Sequence, residues 1–595
     1  MAAEDKIKIF DSVDSLITEI NNDSATSKII SNRYPVRFIM FDNFNEFQNL
    51  LMKLVELNIR IFGLDSLLPE TNKDVWISND ELSDAIKNLQ VSSIIVPFSE
   101  IVRFYDNDNF NAIFYGLSKM ENNNKNTCRR LYVPLIGLHH RFCNFLESVT
   151  KTTEIAPVWA VKTEHKYSVD VFLTQKNIQH SVNEYRGIET MYDWLQFWKT
   201  NPTPEKVVCS SLSIIDYADN SQPDNIFTPI KISSAYDFIE KYHNLFLNIP
   251  YIETEEKYWQ QLLYHISNNN FSFKSFVETQ IDVGIISIKK LLNKWTATDT
   301  TEFDRWLLKY YYLQFIVENE YLNCIMLDSV DYSALRLFRE IALSIFVYTS
   351  VQSQIEERNT LLKLFDRQYK LPEADLLQMK EQILEISKTD TTKAISLCSG
   401  RFDFEKELFI GWYKVGKLKI TDLEKLYPDF AAYLSNRHCG LDPQYPEYWA
   451  NNYIQAYKQA KVNDTYTDEI KNIIAEKNTN EANFYDWYHK FESSKELLAK
   501  AAVDKLYWID GLGIEYLSLI SEIIGKSNFQ IEKLKIAKTG IPSSTEHNSF
   551  ENVTKLDDLD KFIHSEQYKY PSSICREIEI VKEIFNKILT QSAET

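Results

Sequence analysis

Hydrophobic residues in the first 240 positions alternate between short apolar runs and segments with helical spacing. Between the first two runs, for example, Phe47, Leu50 and Leu54 recur at the period of a helix. Near-continuous apolar strands that alternate with helices are typical of a sheet covered by helices on both faces. The pattern therefore predicts an α/β domain over residues 1–244, with one sheet built from the runs at 37–41, 59–62, 93–96, 131–133, 158–161, 168–173 and 207–209.

The pattern changes after position 245 to long amphipathic segments rich in Leu, Glu, Lys, Tyr and Trp, such as 306–315 and 335–347. This spacing predicts a helical region over residues 245–500. Strand-like runs return over residues 501–595, which close with an amphipathic helix from about Ile574 to Ile588. The fold class predicted from the sequence is thus mixed α/β and α, in a multidomain chain of three parts.

Candidate chemistry lies in the last part of the chain. A short apolar strand over residues 505–510 ends in Asp510, and a helix is predicted directly after it over 514–524. A second strand is predicted over Phe529–Ile536, followed by a loop that contains Ser544 and Thr545. An acid at the tip of one strand, close to a hydroxyl-rich loop after the neighbouring strand, indicates one half of a metal-dependent phosphoryl-transfer site.

The chemistry of these residue types supports that interpretation. A hydroxyl such as that of Thr545 is a weak nucleophile until its proton is lost, and a bound divalent metal stabilises the alkoxide. Asp510 offers the hard oxygen ligand that such a metal favours. Gly511 and Gly513 allow the tight turn after the acid, and the chain has only 13 glycines in all. The alternative is an ordinary strand–turn–helix in which Thr545 serves a turn or caps a helix.

Composition narrows the class of protein. With 595 residues, 44% of them hydrophobic, the chain is long enough for several ordered domains. A net charge of −19 disfavours a general nucleic-acid coat or a protein that binds anionic membranes. No apolar run is long enough for a membrane span, no secretory signal is evident, and the seven cysteines are dispersed. These features predict a cytoplasmic protein.

Two motifs carry a resemblance to a known family. The run from Tyr507 to Tyr516 (Tyr-Trp-Ile-Asp-Gly-Leu-Gly-Ile-Glu-Tyr) and the run from Ile541 to Glu546 (Ile-Pro-Ser-Ser-Thr-Glu) resemble the PglZ domain of the alkaline phosphatase superfamily. The segments 93–105, 130–137 and 484–488 look like the long PglZ proteins of bacterial BREX phage-exclusion systems.

The resemblance implies a role for each motif residue. Asp510 would be a metal ligand, and Thr545 would be the nucleophile that also reaches the metal, with Gly511, Gly513 and Ser544 in support. The family is a metal-dependent phosphatase or phosphodiesterase with two divalent ions, zinc in particular. Its implied place is antiviral defence in the bacterial cytoplasm beside a methyltransferase and an ATPase, and its substrate could be a nucleotide or nucleic acid.

The sequence departs from the family pattern after Thr545. The superfamily completes its metal centre with an Asp-His pair and a further histidine, but here only His547 and His564 follow, with no Asp-His dipeptide. The acidic run at 557–560 is expected to be a solvated helix face. Residues 501–595 are therefore interpreted as the N-terminal half of a PglZ domain that binds metal poorly alone. The alternatives are a non-catalytic scaffold for a defence complex and a nucleic-acid-processing subunit.

Overall fold

The computed structural model is a mixed α/β structure that is 58% helical. It describes residues 6–25, 33–122, 129–149, 154–162, 168–178, 188–200, 204–220, 226–266, 271–281, 287–329, 331–347, 351–366, 368–436, 449–480, 488–489, 491–500, 503, 505–550, 552–565 and 567–593. The chain separates into two compact units, Met1–Asp282 and Val283–Thr595. Residues 245–282 therefore group with the first unit and 501–595 with the second, while the division into three functional parts stays a prediction.

The first unit contains a six-stranded parallel sheet in the order β1-β6-β2-β5-β4-β3. Every residue of β2, β4 and β5 is buried, as expected for strands covered on both faces. This confirms the predicted α/β architecture, and the structure shows in addition that the sheet is parallel. The strands are β1 (Ile7–Phe10), β2 (Val36–Phe41), β3 (Arg60–Gly63), β4 (Ser93–Val96), β5 (Leu131–Ile136) and β6 (Val158–Val161).

A second, three-stranded parallel sheet lies in the same unit, with strands β7 (Val169–Thr174), β8 (Lys206–Cys209) and β9 (Phe227–Ile232) in the order β8-β7-β9. The prediction that the runs at 168–173 and 207–209 extend the first sheet was wrong. Both edges of β7 are hydrogen-bonded, one to β8 and the other to β9, so β7 has no edge left to join the larger sheet.

Helices of the first unit follow the strands, and their starts are encoded locally. Asn43, Ser78 and Asp106 each accept a hydrogen bond from a backbone N–H in the first turn of the helix that follows. The helices with at least six residues are Val13–Ala25, Phe44–Glu56, Asn79–Lys87, Asn107–Ser118, His139–Val149, Met191–Thr200, Leu212–Tyr217, Glu256–His265 and Phe273–Gln280.

A buried ion cluster joins the first helix of this unit to its sheet. The carboxylate of Asp23 accepts two hydrogen bonds from the guanidinium of Arg37, at 2.9 and 3.0 Å, and a third from Arg130 at 2.8 Å. Both arginines are buried, and burial lowers the pKa of Arg37 while Asp23 opposes that shift. Asp23 therefore compensates two desolvated charges where β2 and β5 begin.

The second unit is almost entirely helical among its described residues, which confirms the predicted helical character of segments such as 306–315. Its helices are Ile288–Thr296, Glu302–Phe315, Glu320–Asp328, Ala334–Leu343, Gln352–Leu364, Glu373–Thr389, Thr391–Leu397, Asp403–Lys414, Ile420–Leu426, Pro428–Leu434, Trp449–Asn463, Asp468–Asn480, Ser494–Ala499, Leu517–Gly525, Asp558–His564 and Ser572–Ala593. Two short strands, β10 (Tyr507–Ile509) and β11 (Thr554–Leu556), pair in parallel.

The strand predicted over Phe529–Ile536 is absent from the described structure, where this segment has no regular structure. Phe529, Ile531 and Leu534 are each more than a third exposed, so the segment does not bury the apolar face that a strand requires. The partner of β10 is β11 instead, in a short segment that carries little apolar signal.

The last ninety residues share packing with the helices before them. The hydroxyl of Ser518 donates to the carbonyl of Ser435 at 2.7 Å and accepts from Lys458 at 2.9 Å. The rings of Tyr433 and Tyr516 lie 5.7 Å apart. In the described part of the chain, no helix has the length and apolar character to cross a membrane.

Candidate functional site

Asp510 lies at the carboxyl end of β10, where the sequence predicts it. Its backbone N–H donates to the carbonyl of Leu556 at 2.8 Å, which extends the β10–β11 ladder to the acid. Trp508 pairs with Lys555 of β11 in register. Because side chains alternate along a strand, Trp508 and Asp510 point to one face, and Lys555 lies on that face. The ammonium of Lys555 contacts both, 4.8 Å from the Trp508 ring and 2.8 Å from a carboxylate oxygen of Asp510.

The backbone of the turn after Asp510 requires a glycine at position 511 but not at position 513. Gly511 has a φ of 76°, in the left-handed region, and a Cβ there would lie 3.0 Å from the Cα of Asp560. Gly513 has an extended backbone with a φ of −86° and precedes the turn Ile514–Tyr516. Gly511 thus brings the tip of β10 against the helix Asp558–His564, whereas Gly513 meets no such backbone requirement.

The loop that carries Thr545 is closed on itself by one buried amide. Asn548 donates through its Nδ2 to the carbonyls of Pro542 at 3.0 Å and Ser544 at 3.1 Å, and its Oδ1 accepts from the N–H of Gly540. No helix begins at Thr545, so the residue lies in a turn and does not cap a helix. Asn548 thereby fixes the curvature that presents the hydroxyl of Thr545.

The structure brings Thr545 and Asp510 together although 35 positions separate them. The hydroxyl Oγ1 of Thr545 lies 3.4 Å from each carboxylate oxygen of Asp510. Thr545 is exposed, while the Asp510 side chain is only 13% exposed. Ser544, the neighbouring candidate, directs its hydroxyl to the Nδ1 of His547 at 2.8 Å instead. A reachable hydroxyl therefore faces a largely buried carboxylate.

Lys555 is a site residue that the sequence did not reveal. Its hydrogen bond to Asp510 raises its pKa, and the charges of Asp510, Asp557 and Asp560 add to that shift. It holds a positive charge at the carboxylate where the family resemblance predicts a metal. A single lysine in a three-residue strand gives no pattern in the sequence, so only the register of β10 and β11 discloses it.

A two-metal centre does not fit the residues that the structure describes. Asp510 and Thr545 offer oxygen donors, but a clamp on two ions needs ligands for both. Nowhere in the described ranges do three or more His, Cys, Asp and Glu side chains gather as metal ligands would. The acidic run does form the helix Asp558–His564, and Asp557 and Asp560 engage Lys561 and His564.

No protein-family model, curated protein or solved structure matches the chain. The resemblance to the PglZ domain therefore stays a prediction from the sequence segments quoted above.

Proposed function

We propose that the chain carries the nucleophile-bearing part of a PglZ-type metal-dependent phosphatase or phosphodiesterase, as a component of a BREX-type antiphage defence system. The proposal depends above all on the hydroxyl of Thr545, 3.4 Å from both carboxylate oxygens of Asp510. This contact brings together two sequence motifs, each of which resembles the family. The proposed partners are a methyltransferase and an ATPase, and the proposed substrate class is a nucleotide or nucleic acid.

The proposed roles follow from the positions of these side chains. Thr545 Oγ1 attacks phosphorus, so that a new P–O bond to the threonine forms while the bond to the leaving oxygen breaks. Asp510 would be a ligand of the metal, which would favour loss of the hydroxyl proton to water. Asn548 holds the loop, and Lys555 places a positive charge beside the reacting oxygens. Water then cleaves the phosphothreonine and regenerates the hydroxyl.

The described donor set is insufficient for the two metals of the family. We therefore expect turnover only when another polypeptide or further segment supplies the Asp-His ligands. The test is to combine the chain with such a polypeptide and to measure cleavage of an aryl phosphodiester and an aryl phosphomonoester with added Zn²⁺ or Mn²⁺. Activity should appear in the combination and stay near background for the 595-residue chain alone.

Matched variants make this assay specific. Thr545→Ala removes the attacking oxygen and should reduce the rate by at least about a thousandfold, the order that loss of a nucleophile costs. Ser543→Ala alters an exposed hydroxyl in the same loop and should leave the rate unchanged. Full activity of Thr545→Ala, or an inert combination that nevertheless binds two metals, would show that the catalytic assignment is wrong.

A non-catalytic scaffold is the second candidate function, and the ion pair of Lys555 with Asp510 favours it. A lysine ammonium already neutralises the carboxylate that the family uses for metal. A phage-restriction assay in cells that carry the whole defence system distinguishes the two candidates. If the chain is a scaffold, Thr545→Ala and Asp510→Asn preserve restriction at the wild-type level; if it is a catalyst, both abolish it.

A further inference from the structure

The turn that follows Asp510 contains two glycines, Gly511 and Gly513. Glycine has more conformational freedom to lose on folding than any other residue, so such a turn depends on contacts on both sides to keep a fixed position. On the strand side, the N–H of Asp510 donates to the carbonyl of Leu556 at 2.8 Å. On the other side, the first buried residue is Tyr516. The contacts of Tyr516 therefore bear on where Asp510 lies.

Tyr516 is held by an ion pair whose two members come from two other helices. Its hydroxyl donates to the carboxylate of Glu577, in the helix Ser572–Ala593. The same hydroxyl accepts at 3.1 Å from the ammonium of Lys461, in the helix Trp449–Asn463. Lys461 also donates to Glu577 at 2.5 Å, so the three groups contact one another. Burial and the negative charge of Glu577 raise the pKa of Tyr516, which keeps the phenol protonated and able to donate.

Glu515 attaches the same turn to Lys461 a second time. Its carboxylate lies 3.7 Å from the ammonium of Lys461, and its side chain is only 12% exposed. This carboxylate folds back over Gly513, where an added Cβ atom would overlap one of its oxygens. A side chain at position 513 would therefore displace Glu515 from the lysine. Gly513 thus has a role in side-chain packing that its extended backbone does not explain.

We propose that Tyr516 and Glu577 are positioning residues, which hold the Asp510 turn so that its carboxylate stays at the hydroxyl of Thr545. This inference deepens the phosphoryl-transfer proposal above, and its catalytic consequence rests on that proposal. The contact of 3.4 Å between Thr545 Oγ1 and Asp510 joins segments that lie 35 positions apart. A displacement of about 1 Å at such a contact can cost about a hundredfold in rate. The helix Ser572–Ala593, which contains neither motif, thereby contributes to the site.

Hydrogen exchange of the full chain, measured by mass spectrometry, tests this positioning without requiring activity. Tyr516→Phe keeps the ring beside Tyr433 and removes only the hydroxyl. Amides of residues 508–513 should then exchange at least about tenfold faster, the order expected when a hydrogen bond to a charged group is lost. Tyr312→Phe is the matched control in the same unit, because it removes a buried hydroxyl that donates to the carbonyl of Asn319 at 2.9 Å. It should leave exchange at 508–513 unchanged, and an equal increase there would contradict the proposal.

Kinetics of the chain combined with the polypeptide that completes the site separate a positioning role from a purely structural one. Tyr516→Phe and Glu577→Ala should each lower kcat for the aryl phosphodiester by at least about tenfold and change KM by less than about twofold, because only the transition-state geometry is disturbed. Glu577→Gln keeps an oxygen that accepts from the Tyr516 hydroxyl, so it should restore most of the rate. A rate for Glu577→Gln as low as that for Glu577→Ala would overturn the role of this hydrogen bond.

The exchange and kinetic measurements distinguish failure of this inference from failure of the proposed function. If Tyr516→Phe accelerates exchange at 508–513 but no combination cleaves either substrate, the proposed function is wrong and Tyr516 still holds the Asp510 turn. If the combination is active and Thr545→Ala abolishes that activity, but Tyr516→Phe changes neither exchange nor kcat, the positioning role is wrong and the catalytic role of Thr545 stands.

Discussion

At the scale of single residues, the sequence predicted which side chains lie together at the candidate site better than it predicted the charges around them. Asp510 and Thr545 carry motif signals, and they do lie together. Lys555 and Asn548 give no comparable signal, because their roles arise from strand register and from loop closure. Lys555 and Asn548 belong to the site only because the fold places them beside Asp510 and within the Thr545 loop.

The ion pair of Lys555 with Asp510 leads to a prediction about metal affinity. Lys555→Met removes the ammonium that lies 2.8 Å from the carboxylate of Asp510. A divalent cation then no longer competes with that ammonium for the carboxylate. The affinity of the chain for Mn²⁺ or Zn²⁺ should rise by up to about fivefold, the range measured for single partly exposed ion pairs. Equilibrium dialysis with elemental analysis measures this change. Lys561→Met, which breaks the ion pair with Asp557, is the control, and an equal rise there would contradict the assignment.

Buried thiols provide a second prediction at this scale. Burial disfavours the thiolate and raises the pKa of Cys209 and of Cys575 to about 12. Since the thiolate is the reactive form, both residues should resist iodoacetamide in the folded protein at pH 8, while the exposed Cys324 is alkylated. Peptide mapping by mass spectrometry gives the three extents of reaction. At pH 9 both buried sites should still be unlabelled, because this pH lies well below the raised pKa of each thiol.

At the scale of elements, the strands that the sequence failed to predict are edge strands. β1 and β9 each end a sheet, and the central residues of both strands are mostly exposed. β9 also contains Pro229, which is tolerated only where a ladder hydrogen bond is dispensable. The central strands β2, β4 and β5 were predictable because burial on both faces requires an unbroken apolar run. The strand predicted at 529–536 is absent because apolar residues alone do not provide a neighbouring strand with which to pair.

The ion cluster at the start of β2 and β5 makes a prediction about stability. Asp23→Ala leaves the guanidinium groups of Arg37 and Arg130 buried without their carboxylate. Loss of one partner from a buried ion pair costs about 3–5 kcal/mol, so the free energy of unfolding of the first unit should fall by that amount. Urea denaturation measures the change. Asp84→Ala disrupts only an exposed ion pair with Lys87 and should cost less than about 1 kcal/mol.

At the scale of the whole molecule, the boundary between the two compact units does not coincide with the change in hydrophobic period along the sequence. The sequence places a boundary near 244, but the helix Glu256–His265 belongs to the first unit. Glu256 accepts a hydrogen bond from the N–H of Ala235 at 2.6 Å, and the buried Trp259 packs against Tyr236 with ring centroids 4.8 Å apart. A change of secondary structure along a chain thus need not coincide with a boundary between compact units.

Two fragments test this boundary. A fragment of residues 1–282 keeps the helix Glu256–His265 and should unfold cooperatively, with a melting temperature close to that of the first unit in the full chain. A fragment of residues 1–244 loses Trp259, Leu262 and Leu263, all fully buried, and should melt at a lower temperature and bind a hydrophobic dye. Circular dichroism and dye fluorescence measure both properties. Equal stability of the two fragments would place the boundary at 244 after all.

The hydrogen bonds of Asn548 affect the entropy change when a ligand binds at Thr545. Its side chain holds the carbonyls of Pro542 and Ser544 from within the chain, so the Thr545 loop is ordered when the protein folds. A ligand that reaches Thr545 meets a preorganised hydroxyl and does not have to immobilise the backbone around it. In Asn548→Ala the same ligand would have to supply that ordering. Its dissociation constant should therefore rise with an unfavourable entropy change, although every atom that contacts the ligand is still present.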